Sequence, residues 1–452
     1  KNLAEVIECS LIKLGLNMAY LRGQGYDGAA AMKGEFRGVQ AYLRGKYPLA
    51  IYTHCAAHCL NLALCDACKI TPIRNFHGVA TKICAFFNTP KRLAVLQNSI
   101  KEIYPEAKVT RLKSVCPTRW IERHDATILL QEMLNVIVDA LSVISEWTDK
   151  ETSSGALQLM NSILRSDFLV SLYVTSRIFS ITLPLCRLIQ KRYMDLVTAL
   201  KHVSNTYEEV AAIRAAAENE FESLFKTVIE KAAELNVDVT LPRVVGRQTY
   251  RSNIDADTPE KYYRVSTFIP FLDHVQEELS RRFLDHETTL SAFSCLTPMI
   301  DGDYNLTDDK KTSFKALIET YQSDLEELGM VSVELEAMAE LGLWYRDLQH
   351  NTHRESASPK CVMYFLQLCD KTVYPSIYTL LKIMATLPVT TTENERSFSS
   401  LRRLKAYLRS TTGETRLNGL ALLNIYPEIP VDVEDILDKL ATKSRKMNIR
   451  LQ

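Results

Sequence analysis

The chain has 452 residues, with 54 Lys and Arg against 54 Asp and Glu, a formal net charge of zero. That balance excludes a uniformly basic nucleic-acid coat and a supercharged tail, so any contact with nucleic acid must come from a local patch. Apolar residues make up 46% and Gly and Pro number 15 each, which excludes a low-complexity or fibrous chain and allows roughly two to four domain-sized units.

The opening KNLAEVIECSLIKLGL is amphipathic and has no signal-peptide apolar block. No charge-free apolar run of about 18 residues stands out, so no membrane span is expected. Lys1 rather than Met opens the chain, as in a fragment. Eleven cysteines, an odd number, spread from Cys9 to Cys369. A small secreted disulfide scaffold would be denser and even, so these read as reduced thiols of a cytosolic or nuclear protein.

In chain order, LNMAYLRGQGYD is a short strand-like run ending in a turn. GAAAMKGEFRGVQAYL follows with helical spacing. After Pro48, LAIYTHC predicts a second strand and CAAHCLNLALCDAC a second helix. Strand–helix–strand–helix is the grammar of an α/β domain. From about 76 to 386 the period is helical throughout, as in RLAVLQNSIKEIY, ATILLQEMLNVIVDALSVISEW and NTYEEVAAIRAAAENEFESLFKTVIEKAAEL. Pro117 and Pro184 are expected to interrupt helices. A polar, non-periodic stretch near 237–258 reads as a loop, and TPEKYY restarts a helix with a Thr258 cap and Pro259 in its first turn. From PVTTTENERSFSS onward another helical block closes the chain. This pattern fits three consecutive domains, or one α/β domain split by a helical insertion.

Asp27, in GQGYDGAAAM, stands after a strand and before a helix. A carboxylate there, flanked by small residues, can hold a divalent ion or cap the helix. Glu395, in TTTENERSFSSLRRLKAYL, stands on or beside the stripe Phe398, Leu401, Leu404 and Leu408, where it is either a metal ligand or a first-turn acid paired with Arg396 or Arg402. Arg402, Arg403, Lys405 and Arg409 form either a phosphate grip or a solvated face. Cys55, His58, Cys59, Cys65 and Cys68 include one CxxC, but the second ligand pair of a zinc site is missing. Trp120, beside Arg119 in CPTRWIERHDA, is either a base-stacking residue or a core tryptophan. GQGYDG is set aside as a dinucleotide fingerprint, its third glycine being read as out of place.

Taken in order, these segments resemble the hAT superfamily of DNA transposases and their domesticated relatives. RGQGYDGAAAMKGEFRGVQA resembles the second catalytic aspartate motif. YTHCAAHCLNLAL resembles the segment after it, PTRW the arginine–tryptophan motif of the helical insertion, and PVTTTENERSFSSLRRLKAYLRSTTGETRLNGLALL the C-terminal dimerisation region. The resemblance implies an α/β plus all-α architecture. An RNase H-like core with the second acidic motif would occupy 1–75, a helical insertion 76–386, and a return to the core with the dimerisation region 387–452. It implies Asp27 and Glu395 as catalytic carboxylates sharing Mg²⁺ or Mn²⁺, and His58, Arg119 and Trp120 as contacts to transposon-end DNA. It implies self-association through Phe398, Leu401, Leu417, Leu420 and Leu423, and a nuclear location. The family's first catalytic aspartate should lie on a strand well upstream of Asp27. Here only Glu5 and Glu8 precede it as acids, both in an amphipathic segment. An incomplete carboxylate site is therefore expected, and two functions compete: a transposase chain or fragment, and a non-catalytic nuclear regulator that binds DNA or protein as a dimer.

Overall fold

The computed structural model describes residues 2–113, 120–191, 194–242, 254–284, 292–298, 304–350, 361–405 and 411–442. Its N-terminal helix α1, Asn2–Lys13, turns one face inward, where Ala4 packs with Val39 and Leu43. Glu8 fixes that contact by accepting from Lys46 Nζ at 2.8 Å and Tyr47 Oη at 2.6 Å. Two strands follow, β1 (Gly23–Tyr26) and β2 (Ile51–His54). They are parallel and in register from Gly23 opposite Ile51 to Tyr26 opposite His54. Parallel neighbours need a crossover, supplied by α2 (Ala30–Lys33) and α3 (Val39–Lys46). The sequence suggested one helix here. The break comes at Gly34–Gly38, where a Cβ on Gly38 would stand 2.5 Å from the Gly34 nitrogen and oxygen, so the chain doubles back as tightly as glycine allows. Helix α4, Ala56–Ala67, leaves β2 directly.

Contacts divide the chain into two units, Lys1–Thr390 and Thr391–Gln452. The first holds two large apolar cores. One is built around the helix Ser166–Ile189, sixteen of whose twenty-four residues are buried. By length and composition this helix could cross a membrane, although Asp167, Arg177 and Arg187 lie within it. Its burial identifies it as a core helix. Pro184 lies inside it rather than ending it. The missing N–H weakens one turn, but Leu183, Leu185 and Cys186 are buried around it, and packing holds the helix through. The run at 126–147 is two helices, ending at Glu132 and restarting at Leu134 with a 71° bend. The run at 205–235 also breaks, between Ala215 and Ala217. Thr258 caps the next helix as expected, accepting from the Lys261 amide at 3.2 Å. Pro117 lies outside the described residues.

The second core gathers Phe293, Phe314, Tyr321, Trp344, Phe365, Leu380 and their neighbours. Two buried acids tie elements together. Asp195 caps the helix Leu196–Ala215 through the Thr198 amide at 2.8 Å and also takes the Val362 amide at 3.2 Å, 167 positions away. Glu340 caps the helix Pro375–Thr386 from outside, accepting from the Ser376 amide at 2.8 Å, the Ser376 hydroxyl at 3.0 Å and the Ile377 amide at 3.2 Å. These amides belong to the first turn, which has no intrahelical partners.

The second unit carries the helices Thr392–Leu404, Glu414–Ile425 and Val433–Thr442. Among its described residues Ser400 alone is buried. Phe398, Leu422, Leu423, Ile429 and Ile436 are all exposed.

Candidate functional site

The ends of β1 and β2 are where the sequence put its first acid, and a distant segment arrives there too. Leu387–Thr390 lies against the sheet. Thr53 donates its hydroxyl to the Pro388 carbonyl at 2.7 Å, the Ala56 amide donates to the Val389 carbonyl at 2.9 Å, and Thr390 Oγ1 lies 3.5 Å from Cys55 Sγ. Leu387 enters the second core and Val389 the first. The segment advances from Gly23 towards Cys55, in the strand direction, and so delivers Thr390 to the edge that carries Asp27. In open α/β sheets this carboxyl edge is where ligands bind.

Asp27 is exposed and its Oδ1 accepts from the Ala29 amide at 3.1 Å. This is an Asx turn rather than the helix cap weighed above, because the cap position belongs to Ala29. Gly28 follows with φ +81°, and a Cβ there would stand 2.2 Å from His54 Nε2. Glycine is required twice over, by conformation and by the ring beneath it. The His54 ring lies 5.5 Å from that of His58, in the first turn of α4, the two tilted by 42°. Burial draws the His54 pKa down, and a hydrogen bond with the Asp27 main chain works in the opposite direction. Its Nε2 is buried without a protein partner, as is the Tyr52 hydroxyl on the same face. Burial pushes the Tyr52 phenol up to about 12.

Cys55, Cys59 and Cys68 are buried, and burial pushes the Cys59 thiol up to about 12, opposite to what a metal ligand needs. Among the described residues no group of three or more His, Cys, Asp or Glu side chains is placed to hold a metal ion.

Glu395 lies in the second unit, on the helix Thr392–Leu404, and is exposed rather than on a buried stripe. The acid paired with Arg396 is Glu393, at 2.7 Å. Of the apolar positions singled out, Phe398 and Leu423 are exposed, while Leu401, Leu417 and Leu420 are half-buried. Trp120 begins the helix Trp120–Glu132. Arg119 lies outside the described residues.

Sequence reading missed His54, Tyr52 and the Leu387–Thr390 segment. A signal for the last was present. Gly23, Gly25 and Gly28 do stand at the GxGxxG spacing that had been set aside, but the first two lie inside β1 instead of following it, and they face Pro388.

Two family descriptions match. Residues 347–429 match the hAT family C-terminal dimerisation region, and residues 1–38 match the ZMYM1/FAM200 RNase-like domain. The chain is 30% identical over 436 residues to the human 52 kDa repressor of the inhibitor of the protein kinase, a match covering 94% of this chain and 56% of that protein. The mouse protein of the same name is 29% identical over 437 residues, with the same coverage. The chain thus spans about half the length of the curated relatives it matches. With the dimerisation region near one end, the RNase-like segment at the other and a likeness to these repressors across nearly its whole length, the chain belongs to the hAT transposase-derived proteins.

Proposed function

We propose that this chain is a self-associating, transposase-derived regulator that carries part of a strand-cleaving platform. The observation that carries the reading is the second unit. It presents Phe398, Leu422, Leu423, Ile429 and Ile436 to solvent, Ser400 alone being buried among its described residues, and the matched dimerisation region runs through much of it. Such a surface is stable when another copy covers it. The relatives are repressors by name, and a non-catalytic binding role in the nucleus is the corresponding reading here. Free cysteines suit that reducing compartment. DNA is the proposed ligand of the ancestral platform, through His58, Arg119 and Trp120.

The ancestral site is proposed to pair Asp27 with Glu395. Two facts support this. The Leu387–Thr390 segment returns to the strand end that carries Asp27, and Glu395 is five residues further along the chain. A third carboxylate and two divalent ions would complete the chemistry, one ion activating the attacking oxygen and the other stabilising the leaving one.

Light scattering at micromolar concentration tests the reading. A dimer or larger species is expected, reduced to monomer by Phe398→Asp with Leu423→Asp. A monomeric wild-type mass contradicts it. Incubation with DNA in Mg²⁺ or Mn²⁺ discriminates the rival enzyme reading: no strand transfer is expected, and robust cleavage lost in Asp27→Asn would establish a transposase instead.

A further inference from the structure

We propose that Pro388, seated on Gly23 and Gly25, is a positioning residue for self-association, acting through the segment that leads into the dimerisation helices. The inference rests on the self-association reading above and adds a device to it.

The seat is built from side-chain-free backbone. Gly23 and Gly25 are two apart on β1 and so share a face. A Cβ on Gly23 would stand 2.7 Å from Pro388 Cδ, and one on Gly25 would stand 2.7 Å and 2.9 Å from Pro388 Cβ and Cγ. No real Cβ contact is that short, and a pyrrolidine ring cannot swing aside as a long side chain does. Glycine inside a strand weakens it, and its use there marks close approach by another part of the chain.

Proline suits the other half of the contact. It brings no N–H to be buried against the strand, and its carbonyl is taken by Thr53 at 2.7 Å. Leu387 and Val389 pack into separate cores. Val389 is held by the Ala56 amide, and Thr390 lies against Cys55. All four residues of the strap are therefore fixed, and the second unit starts at the next residue. An anchored origin lowers the entropy lost when the dimerisation helices are ordered against a partner.

The test uses the whole chain and five proteins: wild type, Gly25→Ala, Pro388→Gly, the double variant, and Gly45→Ala as control, since a Cβ at Gly45 meets nothing within 4 Å. Self-association is read by sedimentation across a concentration series, and amide hydrogen exchange is read at Ala56 and along Thr392–Leu404. Gly25→Ala should weaken self-association by about tenfold, on the scale of overpacking a tight contact, and should speed exchange at Ala56. The double variant should match Pro388→Gly alone, because removing the ring removes the clash. Gly45→Ala should behave as wild type.

If Gly25→Ala releases the Ala56 amide while self-association stays at the wild-type level, the proposal is overturned and the self-association reading stands. If wild type is monomeric, that reading fails and the proposal falls with it. If Gly25→Ala does not fold, Pro388→Gly carries the test, with weaker association expected and an unchanged one contradicting the proposal.

Discussion

Thr53 and Pro388 are 335 positions apart in sequence and joined by one hydrogen bond of 2.7 Å, hydroxyl to carbonyl. Through it the chain closes a loop that contains the helices from α4 to Pro375–Thr386. Thr53→Val keeps the shape of the side chain and removes the donor, leaving the Pro388 carbonyl unsatisfied against the sheet. A loss of about 1–2 kcal/mol is expected, measured as a shift in urea midpoint at constant slope. A neutral result would mean that the contact contributes nothing to the return of the chain.

Glu340 holds the helix that leads into that return. Glu340→Ala strands three donors, two amides and a hydroxyl, and should destabilise by about 3 kcal/mol. Its carboxyl is raised above the ordinary value of 4.5, burial outweighing the hydrogen bonds from Ile377 and Ser376. A raised carboxyl favours the fold most below the unfolded pKa, and that advantage is lost as pH rises through the folded pKa. Wild type should therefore lose ground to Glu340→Gln as pH climbs from about 4.5, in paired denaturation curves. A constant gap between the two proteins across that range would refute the assignment.

His54 gives the opposite sign. Burial lowers its pKa below 6.5, so its contribution is complete above that pH and is lost as pH falls, when the unfolded chain takes up the proton first. His54→Phe retains a ring under Gly28 and removes the titration. Wild type should lose stability relative to this variant between about pH 7.5 and 5.5, and parallel curves would count against it.

The strands and α4 were legible because their residues follow local rules: β-branched and aromatic residues in Ile51–His54, and helical spacing after Cys55. The helix breaks at Gly34–Gly38 and Met133 and the survival of helix through Pro184 were not, because each is decided by packing that only the folded chain supplies. The same holds at the site. Asp27 announces itself by a strand end and glycines, whereas His54 matters through a ring lying under Gly28, and Pro388 through two glycines more than 360 residues upstream. Long-range juxtaposition leaves no periodic trace in either partner. The C-terminal region was legible from the order of its motifs.

The proposed ancestral site requires Glu395 to reach the edge of β1 where Asp27 stands. A crystal structure of the whole chain grown with Mn²⁺ measures it most directly. The account predicts the two carboxylates within about 8 Å, a gap that one or two ions separated by about 3.5–4 Å can bridge. Carboxylates on opposite sides of the molecule would contradict it.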